Sequence, residues 1–86
     1  MAYIRTKIRT TKLFEKNLRS IRDKKTIEKL KKQIIKIQEN PDIGKPLRYL
    51  HKGERTIYVK PYRLIYSVDG DIVYLLKFDH RKHVYR

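Results

Sequence analysis

The hydrophobic positions of this 86-residue chain change period twice along its length. In residues 3–9, Tyr3, Arg5 and Lys7 alternate with Ile4, Thr6 and Ile8. Period two sends successive side chains to opposite faces, so this segment predicts a strand with one wet face. The period then lengthens. Phe14, Leu18 and Ile21 recur at steps of four and three, with Leu13 beside Phe14. This predicts an amphipathic helix over residues 12–22, with Thr10 or Thr11 as its N-cap. Asp23 is placed to cap a second helix, in which Ile27, Leu30, Ile34 and Ile37 form one apolar stripe that Ile35 widens. That helix should stop at Asn40, because Pro41 pushes the residue before it out of the α region. So short a connection predicts an αα-hairpin. We read the stripe as core facing a sheet rather than as a partner seam, since a single domain needs one such helical face.

Residues 40–46 read as a loop, punctuated by Pro41, Gly44 and Pro46. Strand-like runs then return. Residues 47–50 predict a second strand, 51–54 a turn and 55–59 a third strand, broken by Lys60-Pro61. Residues 62–78 predict a hairpin around Asp69-Gly70, a pair suited to the positive φ of a tight hairpin turn. With Asp69-Gly70 as the two turn residues, Val68 faces Asp71, Tyr66 faces Val73 and Leu64 faces Leu75. Arg63 then shares a face with Ile65, Ser67, Tyr74 and Leu76. Such a charge in an apolar pattern either snorkels to water or is held for an anion. The expected fold class is α+β: an N-terminal strand, an α-helical hairpin, then a three- to four-stranded antiparallel meander, as one domain over residues 1–86. The helices should cover one sheet face and leave the other for a ligand.

Composition adds a partner class. Lys and Arg number 23 against 9 acids, a formal charge of +14. Such an excess implies a polyanion: RNA, DNA, an anionic membrane or an acidic protein. Glutamate is too scarce for the balanced ion-pair surface of a thermophile. Cysteine is absent, which excludes disulfides and thiolate chemistry and agrees with an intracellular, cytoplasmic setting. No apolar run approaches the roughly 20 residues that span a bilayer, so no membrane is expected. No CxxC, HExxH, carboxylate cluster or Gly-rich phosphate loop occurs, so neither a metal nor a cofactor is expected.

Candidate chemistry gathers in the last residues, Asp79-His80-Arg81-Lys82-His83-Val84-Tyr85-Arg86. Histidine is the usual acid or base near neutrality, so His80 and His83 are candidates, as is Lys60. Dense neighbouring cations favour a deprotonated Tyr or Lys, which is a route for Tyr85 to act as a base. Tyr85 also suits stacking on a nucleobase. Arg55, Lys60, Lys77, Lys82 and Arg86 are candidate RNA contacts through phosphate.

Several of these features together resemble the RelE/ParE superfamily of type II toxin–antitoxin toxins, with a fit to archaeal RelE proteins. They are the β-α-α-β-β-β order, the Asn40-Pro41 pair, the Lys45-Pro46-Leu47 approach, the Tyr62-Arg63-Leu64-Ile65-Tyr66 strand and the Arg81-x-x-x-Tyr85 ending. The resemblance covers nearly the whole chain. It implies a ribosome-dependent, metal-free mRNA endoribonuclease acting in the ribosomal A site. It also implies an acidic RelB-like antitoxin that wraps the toxin, with a toxin–antitoxin heterotetramer as the assembly. By position, Arg63, Arg81 and Tyr85 match the catalytic residues of RelE-like nucleases. One strand earlier, Thr56-Ile57-Tyr58-Val59 lacks the two alternate basic residues usual there. That departure keeps two alternatives open: a ParE-like, non-catalytic inhibitor of DNA gyrase, and a basic RNA- or ribosome-binding module without catalysis.

Overall fold

A computed structural model describes residues 6–47 and 53–84. The first strand, β1, spans Lys7–Thr10; Tyr3, Ile4 and Arg5 lie outside the described residues. Helix α1 spans Lys12–Arg19 and is capped by Thr11, whose hydroxyl accepts the Phe14 N–H. The same hydroxyl lies 3.1 and 3.0 Å from the carbonyls of Leu75 and Leu76, so the cap also ties the helix to the last strand. The helix ends three residues before the expected Arg22. Ser20 turns back, its N–H and hydroxyl both donating to Asn17 O. Asp23 then withdraws the chain from the helical path to cap α2, Lys24–Glu39, taking the Lys25 N–H and the Thr26 hydroxyl. Those bonds hold its carboxyl below the usual 3.8, the Thr26 hydroxyl first. The second helix stops at Asn40, as the following proline requires.

Pro41–Ile43 forms a 3-10 turn, and Lys45–Pro46 forms β2. The pairing thus falls at Lys45 and Pro46, just ahead of the strand expected over 47–50; Leu47 N–H still donates to Glu54 O, and residues 48–50 lie outside the described residues. Strands β3, Glu54–Val59, β4, Tyr62–Asp69, and β5, Ile72–His80, complete the fold. The sheet order is β1-β5-β4-β3-β2. From β2 to β5 it is the expected antiparallel meander, while β1 lies parallel to β5.

The hairpin turn differs from expectation by one residue. Asp69 pairs with Ile72, so Gly70 and Asp71 make the turn, and Gly70 takes φ +61°. Val68 therefore faces Val73 and Tyr66 faces Leu75. Below them an irregularity between Ile65 and Tyr66 absorbs Leu76, so Leu64 faces Phe78 and Arg63 faces Asp79. The two-residue shift keeps every β4 side chain on its expected face. Only Leu76 loses its place beside Arg63, and Lys77 takes it.

The core lies between the sheet and the helices. Phe14, Leu30 and Ile37 meet Val59, Leu64, Tyr66, Val73, Leu75 and Phe78, all nearly solvent-free. Each fully buried aliphatic or aromatic side chain contributes roughly 1.5–3 kcal/mol. The Tyr66 hydroxyl reaches past this core, donating to Pro41 O at 2.7 Å and accepting the Gly44 N–H at 2.9 Å. Burial pushes its pKa above the usual 10, the Gly44 bond opposing. Gly44 is required here by proximity: a Cβ would sit 2.6 Å from that hydroxyl.

Candidate functional site

Strand alternation sorts the candidate residues onto two sides of the sheet. Leu64, Tyr66 and Phe78 face the helices, so Arg63, Ile65, Ser67, Tyr74, Lys77 and Asp79 face outward. Glu54, Thr56 and Tyr58 share that outer face on β3, and Lys7 and Arg9 share it on β1. Arg63 is half-buried, and its guanidinium carbon lies 4.6 Å from the centre of the Tyr58 ring. Tyr58 is its cross-strand partner. The arginine is thus held against an aromatic face instead of swinging freely in water, at a gain of about 0.5–1 kcal/mol for an exposed pair.

The C-terminal tail reaches the same face. Arg81 N–H donates to Pro61 O, and His83 and Val84 N–H donate to His80 O, which turns the chain back. Lys77 Nζ then donates to Val84 O at 3.3 Å. Lys77 pairs with Ile65 on the outer face. Ile65 and Val84 are both buried although neither belongs to the helix-side core. The Val84 end of the tail is therefore tied to Lys77, on the face that also carries Ile65 and Arg63. Among the expected catalytic residues, Arg63 lies on the outer face, and Arg81 is exposed at the start of the tail. Tyr85 and Arg86 lie outside the described residues.

Four other candidates fall elsewhere. Arg55, expected among the RNA contacts, points to the helix side because Thr56 takes the outer position. Its guanidinium donates to the carbonyls of Asp42 and Gly44 and pairs with the Asp42 carboxylate at 3.4 Å. It pins the turn after α2. His80 and His83 sit at the bottom of the helix side, with ring centres 6.1 Å apart, around a cleft of about 360 Å³ against Tyr62 and the end of α1. Lys60 is exposed in the β3–β4 turn, ahead of the cis bond to Pro61.

Two features escaped sequence reasoning. Tyr58, read from the sequence only as a non-basic position of the third strand, is 40 % exposed and lies under the Arg63 guanidinium. Its position opposite the arginine needed the β3–β4 register, which no local signal gave. A second cleft of about 510 Å³ runs along the β3 edge, from Lys36 and Ile43 to Thr56, Tyr58 and Arg63. Among the described residues no group of three or more His, Cys, Asp or Glu is placed to hold a metal. No described helix is long and apolar enough to cross a membrane.

An N-terminal strand, two helices and then an antiparallel run of strands make the α+β architecture of RelE/ParE superfamily toxins. The chain belongs to the family of the ParE toxin of the type II toxin–antitoxin system parDE, which matches residues 8–85. Among solved structures it is similar to the toxin–antitoxin complex RelBE2 from Mycobacterium tuberculosis. That match has 25% identity and a TM-score of 0.78, covering 91% of this chain and 100% of that one. The RelB–RelE antitoxin–toxin complex from Methanococcus jannaschii also matches, at 25% identity and TM-score 0.72, over 88% and 93%. The chromosomal ParDE system from P. aeruginosa shares the fold, at 18% identity and TM-score 0.70, over 87% and 95%. No curated protein matches the sequence.

Proposed function

We propose that this chain is the toxin of a type II module and acts as a metal-free endoribonuclease on ribosome-bound mRNA. The observation that carries this reading is the convergence of Arg63 with the Val84 end of the tail on the outer face of the sheet. In such a reaction the ribose 2′-oxygen attacks the adjacent phosphorus. The 2′-proton passes to a base, the bond to the 5′-oxygen breaks, and that oxygen takes up a proton. Alignment and charge stabilisation supply most of the acceleration. Arg63, steadied on Tyr58, is suited to bind a phosphoryl oxygen through its planar fork. Arg81 supplies the second cation, and Tyr85 is the candidate base or stacking group.

The partner follows from where the charge lies. Residues 12–39 hold ten Lys and Arg against four acids. Leu13 and Ile35 stand exposed among them, at 46% and 52%. An acidic segment with its own apolar residues matches that surface, which agrees with a RelB-like antitoxin as inhibitor.

A specific observation favours a second reading, that of a non-catalytic gyrase inhibitor. The outward positions of β3 are Glu54, Thr56 and Tyr58, so that strand offers no cation beside Arg63. Primer extension on mRNA in translating extracts separates the two. The nuclease reading predicts cuts within codons that disappear in Arg81→Ala and weaken in Tyr85→Phe. Intact mRNA at every dose, with gyrase supercoiling blocked in a purified assay, would establish the second reading instead.

A further inference from the structure

The cleft at the foot of the helix side is left unused by the outer-face chemistry. Its volume, about 360 Å³, lies in the range of small-ligand sites, about 300–1,000 Å³. Its back wall is aromatic: Tyr62 stacks on the buried Phe78 with ring centres 5.2 Å apart and an interplanar angle of 29°. His80 meets Tyr62 edge-on at 6.1 Å. The Lys82 N–H donates to His80 Nδ1 at 3.2 Å. The neutral imidazole therefore carries its proton on Nε2, which leaves a donor not engaged by that bond. Lys82 and His83 are exposed at the rim.

The opposite wall has the other polarity. Ser20 and Ile21 stand at the carbonyl end of α1, where the helix dipole is negative. The Ser20 hydroxyl donates to Asn17 O, so its lone pairs are left to accept. Asp79, the one carboxylate in the lining, accepts the His80 N–H and projects with Arg63 toward the other face. The cleft is thus an aromatic slot with acceptors at one end and a lysine beside two imidazoles at the other.

We infer that this cleft binds a nucleotide monophosphate unit. The base stacks along Tyr62 with its exocyclic amine toward Ser20, and the phosphate lies between Lys82 and His83. Both a free nucleotide and one residue of a single RNA strand carry this chemistry. The site is separate from the outer face, so it does not depend on the chain cutting RNA.

The test is amide chemical-shift titration of the full chain with 5′-AMP, adenosine, inorganic phosphate and a five-nucleotide single-stranded RNA. The expected result is saturable shifts at Ser20, Ile21, Tyr62 and residues 80–83, with AMP binding more tightly than adenosine or phosphate. The double variant Lys82→Ala/His83→Ala changes two exposed side chains outside the core. It should weaken AMP binding by about tenfold or more. RNA binding more tightly than AMP at these residues identifies a strand as the source. AMP alone binding there identifies the free nucleotide. Equal affinity for phosphate and AMP, shifts that map elsewhere, or unchanged affinity in the folded double variant would overturn the inference.

Discussion

On the helix side of the sheet, Leu64, Tyr66, Val73, Leu75 and Phe78 are each at most 1% exposed. On the outer side of the same two strands, Arg63, Ser67, Tyr74, Lys77 and Asp79 are half-buried and polar. One backbone presents both sets: alternation separates them, and the irregularity at Leu76 resets it on β5. The helix side is fixed by packing density, so it has little tolerance for altered volume. The outer side is fixed by a few directed contacts, namely Arg63 on Tyr58 and Lys77 on Val84 O. Substitutions there should alter function while leaving the fold in place.

That contrast can be broken most strongly from the packed side. Phe78→Ala should cost about 3–5 kcal/mol in denaturant unfolding, a large fraction of the roughly 5–15 kcal/mol that holds a domain folded. The same measurement on Arg63→Ala should show a loss within about 1 kcal/mol, since one partly exposed cation–aromatic contact is removed. Gly44→Ala comes next. Its new Cβ meets the Tyr66 hydroxyl at 2.6 Å, so overpacking should cost about 1–3 kcal/mol. Gly53→Ala is the control. It meets no atom within 4 Å and carries only the strain of φ +86°. Thr11→Ala removes the α1 cap and its tie to β5 and should cost about 1 kcal/mol.

The smallest effect is a pH step. Asp23 is held below its ordinary value by Thr26 and the Lys25 N–H. Its contribution is therefore full above the unfolded value near 3.8 and is lost as pH falls through the lower folded value. Unfolding midpoints followed into acid should fall less steeply in Asp23→Asn than in the unaltered chain.

Much of this architecture is legible in the chain itself. The stripe of Ile27, Leu30, Ile34 and Ile37 and the caps at Asp23 and Asn40 are local signals, and α2 follows them. The end of α1 is not legible, because the Ser20 turn and the Asp23 cap compete with a hydrophobic spacing that runs on to Ile21. The Asp-Gly pair locates the hairpin but misplaces its turn by one residue, since Gly70 with either neighbour makes an acceptable pair. The irregularity beside Leu76 and the parallel β1–β5 pairing have no local signature: they are decided by how the assembled strands fit. At the site, Arg63 stands out as a charge in an apolar run. Its Tyr58 partner and the return of the tail depend on register and long-range contact.

The most direct test of the outer face is mRNA cleavage by Arg63→Ala in a translating extract, on protein shown by unfolding to retain its stability. Loss of cleavage by about 100-fold or more in a stably folded variant is the predicted result. Undiminished cleavage would contradict the assignment of the outer face as the site of action.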